Sequence, residues 1–191
     1  MLSEFGGRFT VAQCDLRESF YDLRLDLDRL ESAAQACAVC AENLQEGQQN
    51  EEMFSLCYHM LSFLCYGESS PADLMLCFTA KLLSVLGYGP TTVRCALCGA
   101  STFSGGRFHA GYSALCAKCA ERMGGEAVAP LTLEALRRMI ALPDRDMGKV
   151  VLPAGVRGEL AAILPAYYEA HLERRFKPAE FLQRLVREEK F

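Results

Sequence analysis

Apolar residues recur at helical spacing over most of this chain. In residues 15–44, Leu16, Phe20, Leu23, Leu27, Leu30, Ala34, Cys37, Ala41 and Leu44 follow in alternating steps of four and three. That is the seam of a helix packed lengthwise against partners, and Tyr21 and Leu25 broaden it. Asp15 suits an N-cap, and Glu18 three residues on completes a capping box. A polar run at 45–50 ends the helix. A second helix is predicted over 51–66, almost wholly apolar in its second half and so buried on most sides. Ser70, Pro71, Ala72 and Asp73 open a third, with Pro71 at the first helical position and Asp73 reaching back to the cap. It stops at Gly87, and Pro90 bars its resumption.

After Gly124, Gly125 and Pro130, Thr132 caps a short helix ending before Pro143. A long helical stretch then runs to about Arg175, with Pro165 as a kink or boundary, and a last helix covers 178–190. Residues 8–12, Arg-Phe-Thr-Val-Ala, read as a β-strand. A lone strand cannot bury its faces, so this one belongs to a sheet that the chain lacks or has in shortened form.

Composition sharpens this picture at one point. With 191 residues, 51% hydrophobic and 23% charged, the chain suits one sizeable globular domain or a domain with an appendage. The outlier is ten cysteines beside no tryptophan. The N-terminus has no basic start, apolar run or small-residue cleavage site of a secretory signal. The longest apolar uncharged stretch, residues 53–67, is too short to span a bilayer. The expected setting is the cytosol, where thiols stay reduced and paired cysteines bind metal.

Cys95-Ala-Leu-Cys98 and Cys116-Ala-Lys-Cys119 are two CxxC pairs with seventeen residues between them, the spacing of a four-cysteine zinc site. Each pair places two thiolates of a tight turn on one ion, and a hairpin brings the second turn back to complete the tetrahedron. Gly105-Gly106 suits the hairpin turn, with Phe103, Phe108 and Tyr112 at strand positions. His109 is a possible substitute ligand, though with four cysteines in register it reads as a surface histidine. Four protein ligands leave no open coordination position, so the metal is structural. Cys37 and Cys40 form another CxxC within the first helix, where core packing outweighs redox work; Cys57, Cys65 and Cys77 read as core, and Cys14 is undetermined.

Charge is uneven. Residues 1–75 carry thirteen acids and four bases; residues 76–191 carry eleven acids and sixteen bases. Arg94, Arg107, Lys118 and Arg122 lie in the hairpin and Arg174, Arg175 and Lys177 near the end, candidates for phosphates or the acidic tail of a partner. The alternative is an ordinary solvated face. The sequence contains no Gly-rich phosphate loop, HExxH helix or nucleophile elbow, and its three histidines are scattered. A binding protein is expected, not an enzyme.

The strand Gly-Arg-Phe-Thr-Val, the helix opening at Phe20-Tyr-Asp-Leu-Arg-Leu-Asp-Leu-Asp-Arg-Leu30, the run Leu86-Gly-Tyr-Gly-Pro90 leading into the cysteine pairs, and Tyr167-Tyr-Glu-Ala-His-Leu172 through Phe181-Leu182 resemble the RecO family of bacterial recombination mediators. The resemblance implies a mainly α fold: a helical bundle over 15–93 and 123–191, interrupted by a four-cysteine zinc finger at 94–122 that holds one structural zinc through Cys95, Cys98, Cys116 and Cys119. Residues 1–14 would be the remnant, a last strand, of an N-terminal OB-fold that family members carry as a five-stranded barrel. It further implies binding of single- and double-stranded DNA, weaker without the barrel, of the acidic, apolar C-terminal tail of single-strand-binding protein, and of RecR. The activity implied is helping to load RecA and annealing strands, in the cytoplasm at the nucleoid and away from membrane. Two other readings stand beside it: a zinc-ribbon helical adaptor that contacts proteins without DNA, and a thiol enzyme using Cys37 and Cys40.

Overall fold

The computed structural model describes residues 2–6, 8–102 and 106–188. Its helices are α1 (Leu27–Asn43), α2 (Glu51–Tyr66), α3 (Pro71–Val85), α4 (Ala117–Met123), α5 (Pro130–Ala141), α6 (Ala154–Leu172) and α7 (Ala179–Glu188), with 3-10 turns at Tyr21–Leu25 and Asp144–Lys149. The fold is mainly α. The strands β1 (Leu2–Phe5) and β2 (Arg8–Val11) form an antiparallel hairpin, Leu2 opposite Val11, so the predicted terminal strand has a partner. The strands β3 (Gly106–His109), β4 (Ser113–Cys116) and β5 (Glu126–Val128) form a second antiparallel sheet in the order β4-β3-β5.

The core is built around α3, whose residues from Ala72 to Leu83 are all buried. A helix apolar all round belongs inside a bundle, and α1, α2, α5, α6 and α7 pack around it. Ser70 Oγ accepts from the Asp73 amide, Pro71 occupies the first turn, and Gly87 ends the element at φ +85°, as the sequence predicts. Helix α2 has the predicted bounds, capped by Asn50 accepting from the Met53 amide at 2.9 Å. It buries Met53, Leu56, Met60 and Leu64, but Phe54 and Tyr58 on its outer side are exposed. These two lie in its first half; in the second half Leu61, Phe63 and Cys65 also pack against the core, as predicted.

The first helix departs most from expectation. Phe20 adopts a left-handed backbone, and the Glu18 carboxylate accepts from the amides of Ser19 and Phe20. The chain thus turns before the helix, and Asp26, not Asp15, caps α1 by accepting from the Arg29 amide. The Arg29 guanidinium then donates to the carbonyls of Leu64, Gly67 and Ser69, fixing this start to the end of α2. The predicted seam holds at Leu23, which is buried, and Phe20, which packs against the core, but is reversed along α1. Buried on α1 are Ser32, Ala33, Ala36, Val39 and Cys40, whereas Leu27 is 80% exposed and Leu30, Ala34, Cys37, Ala41 and Leu44 face outward. Small side chains let α1 lie close on α2 and α3. A count of the larger apolar residues selects the other face.

Near the C-terminal half, Thr132 is not a cap. Helix α5 begins at Pro130, and the Thr132 hydroxyl and the Ala129 amide both donate to Glu159 of α6, at 2.5 and 2.8 Å. Pro165 lies inside α6, which continues through it. Helix α7 buries Phe181, Leu182, Leu185 and Val186; the predicted end at residue 190 lies outside the described residues.

Gly148, in the 3-10 turn before α6, sits against the ring of Phe63 on α2. A Cβ there would lie 2.5 Å from the Phe63 ring. Gly148→Val is expected to cost about 1–3 kcal/mol in urea unfolding, the range for overpacking. Adding Phe63→Ala should recover part of that loss in a double-mutant cycle, since the clash is pairwise. Additive losses would contradict the packing described.

Candidate metal centre

The four predicted ligands come together. The Sγ atoms of Cys95, Cys98, Cys116 and Cys119 all lie within 4.8 Å of one another, and Cys98 and Cys116 are 3.6 Å apart. A tetrahedral ion bonded to sulfur at about 2.3 Å sets its ligands roughly 3.8 Å from each other, so a small contraction of this cluster encloses an ion. When bound, zinc would supply structural closure and no reaction chemistry.

Local folding explains the geometry. In the first knuckle the Cys95 amide donates to the Ala100 carbonyl at 2.7 Å, and the Gly99 amide returns to the Cys95 carbonyl at 2.9 Å. Gly99 has φ +73°, a left-handed position that glycine adopts without penalty. The second knuckle is a strand-to-helix junction: Cys116 ends β4 and precedes α4, and Cys119 lies in the first turn of α4. The knuckles are joined because the Ala96 amide donates to the Ala114 carbonyl. Cys95 is buried with Leu115 and Ala120 beneath it.

The four thiols are not equivalent. Burial raises the Cys95 thiol, but the amides of Cys116, Cys98 and Leu97, with the Cys98 thiol, outweigh it and bring it down to about 6. Cys119 is pushed up to about 12, first by donating to Cys98 and Cys95. Cys95 is thus favoured as a thiolate, whereas Cys119 holds a proton that a cation would displace.

The hairpin differs in register from the prediction. Its turn occupies residues 110–112, Gly106 opens β3, and Tyr112 lies in the turn; Phe103 and Gly105 lie outside the described residues. Strand β5, between Gly125 and Pro130, pairs with β3. Gly125 makes this possible: at φ +119° it passes so close to Phe108 that a Cβ would lie 2.9 Å from the Phe108 carbonyl. Phe108 is buried against Tyr167 of α6, ring centroids 5.4 Å apart, which seats the ribbon on the bundle. His109 stands outside the cluster, its Nδ1 accepting from the Gly111 amide. His171 lies against Tyr167, with centroids 4.0 Å apart, and against Tyr88 of the Leu-Gly-Tyr-Gly-Pro run.

All seven basic candidates are exposed. On the ribbon, Arg107 donates to the Gly125 carbonyl at 3.1 Å. The C-terminal three are engaged within the chain: Arg174 donates to the Glu42 carbonyl, Lys177 pairs with the Glu42 carboxylate, and Arg175 pairs with Glu180 at 2.8 Å.

A feature not singled out from sequence is a cleft of about 340 Å³ between α5 and residues 149–153. Leu131, Ala135, Met139, Leu142, Val150 and Val151 supply apolar lining, with Arg138 and Lys149 among its cations. Glu134 also lines it and pairs with Arg137 and Arg138, which hold its carboxyl down at about 2; Lys149 pairs with Asp146. The sequence signal was the wide apolar face of α5, where Leu131 stays exposed.

Cys77 is fully buried, but Cys57 and Cys65 are only half-buried and Cys37, expected in the core, is exposed. Among the described residues no helix is long and apolar enough to cross a membrane.

Comparison with known proteins agrees with this architecture. The family described as Recombination protein O C terminal matches residues 24–180. The DNA repair protein RecO of Symbiobacterium thermophilum is 36% identical over 191 residues, covering 95% of this chain and 74% of the relative. Those of Acetivibrio thermocellus and Desulforamulus reducens are 29% and 30% identical, covering 94% and 93% of this chain and 72% and 70% of the relatives. The chain belongs to the RecO family of DNA repair proteins, whose C-terminal part it carries.

Proposed function

We propose that the chain works as a recombination mediator that captures the C-terminal tail of single-strand-binding protein in the cleft between α5 and residues 149–153. The observation that carries this reading is the pairing of an apolar floor with Arg138 and Lys149. A peptide that is acidic along its length and apolar at its end needs both: desolvation for its last side chains and cations for its carboxylates. Glu134 and Asp146 already share those cations, so affinity should be moderate and salt-dependent.

In the same reading the four ribbon cysteines hold one structural zinc, and Arg94, Arg107, Lys118 and Arg122 contact DNA phosphates. Arg174 would have to leave the Glu42 carbonyl, and Arg175 and Lys177 their carboxylate partners, for phosphates, so the ribbon cations come first. The working units are residues 1–14 as an OB-fold remnant, 15–93 and 123–191 as the helical domain, and 94–122 as the finger. RecR and RecA belong to the same activity: the mediator, with RecR, opens a place for RecA on DNA held by single-strand-binding protein, and anneals complementary strands.

Titration calorimetry with an acidic tail peptide at low salt tests this. The wild-type chain should bind, and Arg138→Glu with Lys149→Glu should weaken binding by about tenfold or more, on the order of 1.4 kcal/mol. Equal binding by the double variant would remove the cleft from the mechanism. Absence of binding by either chain would remove the tail.

A further inference from the structure

Three thiols meet where α1 lies on α2. Cys37 Sγ is 4.0 Å from Cys57 Sγ across the two helices, and Cys40, one turn further along α1, interacts with both. Cys37 is exposed on the outward apolar stripe, Cys57 is half-buried and Cys40 is buried. The small residues Ala33 and Ala36 on the buried face of α1 keep the helix backbones near each other. Neither the metal centre nor the proposed cleft uses these cysteines.

We infer that Cys37 and Cys57 are an oxidative modification site, joined into a disulfide by hydrogen peroxide so that α1 is stapled to α2. The sulfurs must close from 4.0 Å to about 2.05 Å, a movement within reach of side-chain rotation. Cys37 is the sulfur that solvent meets. Its sulfur attacks peroxide; an S–O bond forms, the O–O bond breaks, and the thiol proton leaves with the departing oxygen as water. The Cys57 sulfur then attacks the sulfenic acid. An S–S bond forms, the S–O bond breaks, and the second proton leaves in a second water. Two thiols lose two electrons in all, and one peroxide is reduced to two waters.

The environment sets the rate. Donation to Cys57, and then burial, holds the Cys37 thiol above its ordinary range. Cys57 is lowered by Cys37, but donation to Cys40 and burial push it up to about 11. The thiolate is the reactive form, so the pair is slow at neutral pH and responds to excess peroxide and not to traces.

The test uses the full, zinc-loaded chain, oxidised with hydrogen peroxide, quenched with an alkylating agent and cut after glutamate. Cleavage at Glu31, Glu42, Glu52 and Glu68 separates residues 32–42 from residues 53–68. Mass spectrometry should find these two peptides joined, and still joined in Cys40→Ser and Cys65→Ser. Cys37→Ser and Cys57→Ser should each lose the linked species almost entirely while keeping the wild-type helical signal. A link that survives Cys37→Ser, or an oxidised wild type whose two peptides stay separate, would overturn the assignment.

Discussion

The native chain is expected to carry close to one zinc ion, and Cys95→Ser is expected to lose it and unravel the ribbon. Cys95 is the buried member of the cluster, and its sulfur is held as a thiolate by backbone amides from both knuckles. A serine hydroxyl keeps its proton at neutral pH and leaves three ligands. Structural zinc sites are worth on the order of 10–16 kcal/mol to the folds they close, far more than a three-stranded sheet of short strands holds alone. Hydrogen exchange should show protection lost across β3, β4 and β5, while α2 and α3, whose core does not include the cluster, remain protected. Metal analysis and exchange on the same sample check both halves of this prediction. A zinc-free protein with a protected ribbon would show that packing alone holds it.

The second large effect lies in the bundle. The Asp73 carboxylate is 2% exposed and receives Arg157 Nε at 2.8 Å, Arg157 Nη2 at 3.1 Å and the Leu152 amide at 3.1 Å. This joins the first turn of α3 to α6 and to the segment bordering the cleft. Arg157→Leu leaves a buried carboxylate without its cation, a change that typically costs 3–5 kcal/mol. Thermal unfolding should fall by about 10 °C for a chain of this length. Asp73→Asn added to Arg157→Leu should recover much of the loss, because a neutral amide still accepts from Leu152 and has no charge to pair. A double variant no better than Arg157→Leu would mean that packing of the arginine stem, and not the ion pair, carries the effect.

How much of this was legible depended on where the signal lay. Cysteine spacing located the metal cluster because two CxxC turns constrain one another whatever the intervening chain does. Ser70, Pro71 and Gly87 bound α3 because caps act within a few residues of themselves. The start of α1 was not legible, since Asp26 is selected by the grip of Arg29 on carbonyls some 35 to 40 residues away. Its buried face was misjudged for a related reason: Ala33 and Ala36 carry little hydrophobic weight in a pattern, yet they permit the closest approach. Strand β5 consists of three residues whose partner, β3, precedes them by a whole helix. The Cys37–Cys57 contact is a product of tertiary packing and leaves no local mark, and the cleft shows locally only as the wide apolar face of α5.

We propose that this chain engages the tail of single-strand-binding protein through the cleft beside α5. The most direct measurement is photo-crosslinking of a tail peptide, with the reactive group on its terminal apolar residue, to the zinc-loaded chain, followed by mapping of the adduct. Adducts are expected on Leu131, Met139 or Val151, suppressed by unlabelled peptide and by high salt. Adducts confined to the ribbon or to the outward stripe of α1, with the cleft unmarked, would contradict it.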